Sequence, residues 1–87
     1  MSDVDEIRRK RLLFQSWHRG MKEMDLVLGK FAERYLAEFT SAQLDTYESL
    51  LAEEDADLWI WLTGRTPVPD DVASDVWTLV QEFRFTV

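Results

Sequence analysis

Residues 17–23 place a cation, a glycine and a carboxylate at the junction of two helical patterns. If Gly20 is the N-cap of the second helix, Glu23 is at position N3 and its carboxylate can accept a hydrogen bond from the Gly20 amide. This scheme gives Arg19 no partner, so Arg19 is expected to be dispensable for folding. An arginine and a glutamate beside a glycine, where another backbone can come close, favour a protein-docking corner.

His18 precedes this corner and is the only histidine of the chain, which makes it the one candidate proton shuttle near neutral pH. No Ser/Asp arrangement or second general acid accompanies it at a spacing typical of a catalytic site. We therefore predict no catalytic residue. We place His18 and Lys22 with Arg19, Gly20 and Glu23 among the partner-binding residues.

An acidic run places carboxylates at Glu53, Asp55 and Asp57, with the spacing of the first ligands of an EF-hand loop. The rest of that loop is missing, because Leu58 stands where glycine is needed and Gly64 where a bidentate carboxylate is needed. Helix capping explains the acids better. Since the chain has no cysteine and one histidine, it also lacks the usual zinc ligands, and we predict no metal site.

Two tryptophans, Trp59 and Trp61, could stack on a flavin or a nucleotide. They lie within the apolar run Leu58–Leu62, however, and aromatic residues in such a run are more typical of a core. The chain also lacks a Gly-rich phosphate loop. The sequence therefore favours core packing for both tryptophans.

Composition limits the class of protein. With 87 residues, 46% of them apolar and 31% charged, the chain has the size of one domain and is too hydrophobic for a disordered tail. Its formal charge of −7 disfavours nucleic-acid binding. Residues 1–34 carry eight Lys/Arg against six acids, whereas residues 35–87 carry two against eleven. The basic run Arg8–Arg11 is interpreted as a solvated helix face.

The longest apolar run has five residues, whereas roughly 20 are needed to span a bilayer. The start, Met1–Glu6, is acidic and lacks the apolar stretch of a signal peptide. We therefore expect a cytoplasmic protein without membrane insertion, in which residues 1–5 and 84–87 are frayed.

Two long helices are predicted to flank the corner. Ser2 or Asp3 is expected to cap the first, which runs to about Trp17 with Ile7, Phe14 and Trp17 at helical spacing and Leu13 nearby as its apolar face. The second carries an apolar stripe at helical spacing, formed by Met21, Met24, Leu28, Phe31, Tyr35 and Phe39.

Three shorter helices follow. A capping box at Thr40–Gln43 opens the third. Asp55 or Asp57 caps the fourth, which contains the run Leu58–Leu62 and ends at Gly64.

The fifth helix is predicted to start at Asp70, after the turn Pro67–Pro69, with Val72, Val76 and Phe83 in its apolar stripe. Five short helices joined by short links predict an all-α fold, a compact single-domain bundle over residues 1–87.

The stretch Arg19-Gly20-Met21-Lys22-Glu23 resembles the RGxxE motif of the SdhE family, the flavinylation assembly factors of succinate dehydrogenase. The similarity covers roughly residues 8–83 and includes the Arg-rich first helix, segment 24–31 and the leucine, acidic and tryptophan block at 50–62. RGxxE alone is a weak pattern. Its position at a helix junction, some thirty residues before that block, makes the resemblance specific.

The resemblance implies an assembly factor that binds the flavoprotein subunit of succinate dehydrogenase and promotes covalent attachment of FAD to a histidine of that subunit. It implies no enzyme and no cofactor of the chain itself, because the FAD and the catalytic groups belong to the client. Arg19, Gly20 and Glu23 are expected to contact the client. Bacterial relatives also act on fumarate reductase, and the free protein is expected to be a monomer. Some relatives carry an antitoxin-type label, so an inhibitory protein-binding module is the alternative.

Overall fold

The computed structural model describes residues 3–86, and every regular element in that part of the chain is helical. The α-helices are α1 (Asp3–Trp17), α2 (Lys22–Tyr35), α3 (Ser41–Leu51), α4 (Asp55–Leu62) and α5 (Asp75–Phe83). Single turns of 3₁₀ helix follow α2 at Leu36–Glu38 and α5 at Arg84–Thr86. The predicted all-α bundle of five short helices is confirmed. The expectation of frayed ends at 1–5 and 84–87 stays a prediction, and residues 1, 2 and 87 lie outside the described part.

An aromatic cluster around Phe31 of α2 forms the centre of the core. The Phe31 ring is fully buried, and its centroid lies 4.8 Å from that of Tyr35, 5.6 Å from Tyr47 and 5.8 Å from Phe83. Phe39 joins the cluster at 6.0 Å. Aromatic pairs are favourable at centroid distances of about 4.5–7 Å. The predicted stripe of the second helix is thus its core face, although the α-helix ends at Tyr35 and continues as the 3₁₀ turn.

Helix α1 packs closely on α2 where Trp17 covers Gly29. A Cβ placed on Gly29 would lie 2.2 Å from Trp17 Cδ2, so a glycine is required for this approach. The indole Nε1 of Trp17 also donates a hydrogen bond to Glu33 Oε2 at 2.9 Å. Trp17 of the predicted apolar face therefore packs on α2.

Of the other apolar side chains predicted for this face of α1, Leu13 packs partly buried against the core, but Ile7 and Phe14 do not. Ile7 is 68% exposed and Phe14 is 63% exposed, whereas Leu12 and Ser16 are fully buried. The predicted phase of the helix is wrong because its inner face includes a polar residue with a buried partner. Ser16 Oγ lies 2.6 Å from Tyr47 Oη, and burial raises the pKa of the Tyr47 hydroxyl, which therefore stays protonated.

The basic run of α1 also contacts other parts of the bundle. Arg9 donates hydrogen bonds to the carbonyl oxygens of Leu36 and Phe39, at 2.8 and 2.6 Å. Arg8 lies 2.6 Å from Asp45 of α3, and the hydrogen bond to that carboxylate raises the pKa of Arg8. The interpretation of this run as a solvated face is therefore wrong for Arg8 and Arg9, because both side chains have distant partners.

Local capping signals explain the start of α3 and the end of α4. Thr40 Oγ1 accepts a hydrogen bond from the Gln43 amide and Gln43 Oε1 accepts one from the Thr40 amide, which confirms the capping box. Gly64 has a φ of +76°, and its position just after α4 confirms it as the C-terminal stop. The predicted N-cap of α4 is wrong: Glu54 occupies that position, and Asp55 is already the first residue of the helix.

Helix α5 begins five residues later than predicted. Ser74 is its N-cap, and Ser74 Oγ accepts a hydrogen bond from the Trp77 amide at 3.0 Å. Asp70 instead lies in a turn in which the amides of Val72 and Ala73 both donate to the Pro69 carbonyl. Val72 packs against the core from this turn, which is why its apolar character suggested a longer helix.

Candidate functional site

The corner between α1 and α2 depends on the backbone conformation of Gly20. Its φ is +105°, which non-glycine residues rarely adopt. Met21, with φ −114° and ψ 118°, is the N-cap of α2, so the prediction that Gly20 is the N-cap is wrong. Glu23 is consequently the second residue of α2 rather than the third, and the predicted capping box does not form. An N-cap needs extended φ and ψ, which a residue in a left-handed turn does not have.

Arg19 contacts the junction between α3 and α4. Its guanidinium donates hydrogen bonds to the carbonyl oxygens of Leu51 and Glu53, at 2.5 and 2.6 Å, and to Asp55 Oδ1 at 2.7 Å. The Arg19 amide donates to Asp25 Oδ1 at 2.6 Å. The expectation that Arg19 lacks an intrachain partner is therefore wrong. Its side-chain acceptors lie 32 to 36 residues away along the chain, beyond the range of capping and helical-pair rules.

The environment of Arg19 makes these contacts strong. The side chains of Arg19 and Asp55 are only 12% and 16% exposed. Leu51 is the last residue of α3, where carbonyl oxygens lack amide partners and the helix dipole favours a cation. Arg19 thus satisfies the end of α3 and neutralises Asp55 in the first turn of α4. We call the contacts of Arg19 with Leu51, Glu53 and Asp55 the arginine latch.

The latch holds the corner against the rest of the bundle while its neighbours stay accessible. His18, Lys22 and Glu23 are all exposed, and Gly20 is exposed between them. A Cβ placed on Gly20 would meet no heavy atom within 4 Å, so the space beside it is open to solvent. The structure therefore brings the five predicted site residues together at one corner, with Arg19 turned inward.

His18 is placed by the end of α1 and not by a catalytic partner. Its ring stacks on Phe14 with a centroid distance of 4.0 Å and an interplanar angle of 18°. His18 Nδ1 donates a hydrogen bond to the Phe14 carbonyl oxygen at 2.7 Å. This arrangement leaves the other edge of an exposed, flat ring available to a binding partner.

An open cleft of about 540 Å³ adjoins the corner, between α1 and the end of α3. It is lined by Arg11, Phe14, Gln15, His18, Arg19, Glu48, Leu51 and Ala52. Both charged and apolar groups face it, a mixture that suits a segment of another protein better than a small rigid ligand.

The residues considered for metal and cofactor binding have structural contacts. Asp55 is part of the arginine latch, and residues 3–86 contain no group of three His, Cys, Asp or Glu side chains suited to a metal ion. Trp59 and Trp61 pack partly buried against the core, and Trp61 meets Trp77 edge to face at 6.4 Å. Within the same described range, no helix has both the length and the apolar character needed to cross a bilayer.

Sequence reasoning missed Asp25 and Asp55, the two carboxylates that bind Arg19. Asp55 was assigned to capping, and its place at a helix start is compatible with both functions. For Asp55 a signal was present in the sequence. The first 34 residues are basic and the remainder acidic, so ion pairs between the two parts of the chain are favourable.

The fold and the corner define a small helical module whose exposed charges and open cleft suit the binding of another protein. Comparison with known proteins gives the family. A family model described as "Flavinator of succinate dehydrogenase" matches residues 10–84, so the chain belongs to that family and the resemblance found in the sequence is confirmed.

Curated relatives agree with this assignment. The chain is 52% identical over 68 residues to the mitochondrial succinate dehydrogenase assembly factor 2 of Scheffersomyces stipitis, which covers 75% of this chain and 46% of the relative. It is 40% identical over 81 residues to the protein of the same name from Dictyostelium discoideum, covering 93% of this chain and 57% of the relative. The chain thus spans about half the length of the curated relatives it matches.

Two expectations are affected by these comparisons. The cytoplasmic location is wrong by this measure, because the relatives are named as mitochondrial proteins. The antitoxin-like alternative gains no support, since the matched family and the relatives are named for succinate dehydrogenase.

From the latch we predict that Arg19 contributes to the free energy of unfolding. Replacing Arg19 with Ala removes three donors and leaves Asp55 as an unpaired, largely buried carboxylate. We expect Arg19→Ala to lower the free energy of unfolding by about 3 kcal/mol. Urea denaturation monitored by tryptophan fluorescence measures the free energy of unfolding. Arg65→Ala, at an exposed arginine, is the control.

A double-mutant cycle isolates the ion pair within the latch. Arg19→Ala, Asp55→Ala and the double variant should show a coupling free energy above about 1 kcal/mol, because the two side chains share a partly buried contact. A coupling energy near zero would show that the pair adds nothing to stability.

Proposed function

We propose that this protein is an assembly factor that binds the flavoprotein subunit of succinate dehydrogenase and promotes covalent attachment of FAD to that subunit. The family match over residues 10–84 carries the proposal. The corner supports it, because Gly20, Lys22 and Glu23 of the RGxxE stretch are exposed on a frame held by the latch. In this proposal the protein is not an enzyme: it holds a conformation of the client in which the client's own groups form the bond.

The residues of the corner would act differently in such a complex. Glu23 lies exposed in the first turn of α2 and is suited to pair with an arginine or lysine of the client. Lys22 and His18 offer donors on either side of Gly20. Arg19 acts indirectly, because its guanidinium is occupied by the latch and sets the position of the residues that follow it.

FAD is proposed to belong to the client alone. Trp59 and Trp61, the aromatic pair considered for flavin stacking, pack partly buried against the core, which supports core packing over flavin stacking for this pair. We further propose that the free protein is a monomer and that the related flavoprotein of fumarate reductase is a second client.

The function is tested directly by a flavinylation assay. The flavoprotein subunit, produced without this protein, is incubated with FAD and with or without the purified chain, and covalent flavin is measured by in-gel fluorescence after denaturation. We expect the chain to raise the rate of covalent attachment at least tenfold while remaining free of flavin itself. Equal rates with and without the chain contradict the proposal.

Glu23→Gln separates docking from folding. An exposed residue at this position should change the free energy of unfolding by less than about 0.5 kcal/mol. Loss of one partner of a desolvated charge pair costs about 2–5 kcal/mol of binding, so the Kd for the flavoprotein should rise at least thirtyfold. Calorimetric titration measures the Kd, with Glu38→Gln, an exposed glutamate of the 3₁₀ turn, as the control. A folded variant that binds normally would remove Glu23 from the docking surface.

Two substitutions of Gly20 distinguish its need for a positive φ from a close approach of the client backbone. Gly20→Val should lose stability as well as binding, because a β-branched residue is strained at φ +105°. Asparagine tolerates positive φ better, so the free energy of unfolding of Gly20→Asn should be closer to that of the wild type. Its side chain nevertheless projects into the open space that the client would occupy. Denaturation and titration of both variants measure the two effects. Normal client binding by Gly20→Asn would exclude a close backbone approach.

A further inference from the structure

Among the described residues, four large apolar side chains are more than 60% exposed, and three of them lie on one face of α1. Val4 is 73% exposed, Ile7 is 68% exposed and Phe14 is 63% exposed. Together with Arg11 and His18 they follow one another at intervals of 3, 4, 3 and 4 residues, which is the spacing of a single helix face. We call Val4, Ile7, Arg11, Phe14 and His18 the outer stripe.

The outer stripe is continuous with the corner. His18 is its last member and also the first residue of the predicted site, and the stacked rings of His18 and Phe14 join the two surfaces. Phe14, Arg11 and His18 also line the cleft beside the latch. At a rise of about 1.5 Å per residue, the stripe extends the corner by about 20 Å along α1.

The size of a specific interface favours this extension. A stable complex buries about 800 Å² on each partner, from about 20–30 residues. The corner consists of only a few exposed residues around Gly20 and is too small to supply that area alone. The outer stripe provides the adjoining apolar area, with Phe14 as an aromatic anchor.

Charge argues against a second copy of this chain as the occupant. Arg11 is the central residue of the stripe. Its terminal nitrogen Nη2 pairs with Glu48 of α3, yet the side chain stays 54% exposed, so part of the guanidinium remains accessible to a partner. A symmetric pairing that buries the whole stripe of both copies is centred on its middle residue and places Arg11 opposite Arg11 of the other copy. Like charges in that position disfavour association. The stripe instead suits a partner with apolar side chains on both sides of a carboxylate.

We infer that the outer stripe of α1 is a second part of the client-binding surface, which takes an apolar ridge of the flavoprotein interrupted by an acidic residue facing Arg11. The inference rests on the proposed function for the identity of the client. It adds a surface that the RGxxE stretch does not include. Val4 and Ile7, at the far end from the corner, bind the client directly and have no part in the latch.

Paired variants of exposed apolar residues test the inference. Val4→Ser/Ile7→Ser alters the far end of the stripe, and Phe85→Ser alters an apolar residue that is 78% exposed on the terminal 3₁₀ turn. Each is titrated into the purified flavoprotein subunit beside the wild type, after thermal denaturation has shown an unchanged midpoint. We expect the Kd to rise at least tenfold for Val4→Ser/Ile7→Ser and to stay within twofold for Phe85→Ser.

Arg11→Gln tests the chemistry of the partner. Removing the charge should weaken binding at low salt and reduce the dependence of the Kd on ionic strength. Equal or tighter binding by Arg11→Gln would overturn the acidic component of the inference.

The remaining outcomes separate the inference from the proposed function. If Val4→Ser/Ile7→Ser binds like the wild type while Glu23→Gln is weakened, the stripe is not part of the interface although the function stands. If the wild type does not bind the flavoprotein, both fail. If sedimentation shows a wild-type dimer that Val4→Ser/Ile7→Ser makes monomeric with unchanged client binding, the occupant is a second copy and the inference is overturned.

Discussion

The contact between Arg19 and the end of α3 connects two parts of the chain that local structure leaves independent. The last turn of any helix carries carbonyl oxygens without amide partners, and α3 ends beside a sharp link to α4. A guanidinium can donate to several of these acceptors because its N–H groups form a planar fork. Here the fork reaches two carbonyl oxygens and the carboxylate of Asp55 at once. A lysine ammonium lacks that geometry. The α1–α2 corner and the α3–α4 link are therefore fixed relative to each other by one side chain.

Because of this contact, the residues of the Arg19–Glu23 stretch have different structural roles. Arg19 points into the protein, Gly20 supplies a backbone conformation with φ of +105°, and Glu23 lies exposed in the first turn of the next helix. In the proposed function, a substitution of Arg19 therefore changes stability and binding together, whereas a substitution of the exposed Glu23 can change binding alone. A loss of function caused by changing the arginine does not by itself identify a contact with a partner, because a displaced corner would have the same effect.

Sequence alone was sufficient where the deciding interaction is local. The Thr40–Gln43 capping box, the stop at Gly64 and the α2 stripe through Phe31 all depend on residues within a turn or two of each other. Sequence reasoning failed where a residue distant in the chain determines which side chains are buried. Ser16 is buried because Tyr47 meets it, which reverses the expected inner and outer faces of α1. The start of α5 was placed too early because an apolar residue of a turn, Val72, packs like a helical one.

The uneven charge of the chain acquires a physical meaning in the folded structure. Arg8 and Arg11 of the basic first helix pair with Glu48 of α3, and Arg19 pairs with Asp55 of α4. The pairs with Glu48 are partly exposed and are screened by salt, so each contributes little to stability.

The Arg19–Asp55 pair lies deeper and is less screened, because its side chains are 12% and 16% exposed. The basic helix is thus attracted to the acidic body by several weak contacts and fixed by one stronger one. Arg11 lies between Ile7 and Phe14 on the exposed side of α1 and still reaches Glu48 of α3 through one terminal nitrogen. The same basic helix therefore contacts the acidic part of the bundle through its arginines while it keeps Ile7 and Phe14 exposed.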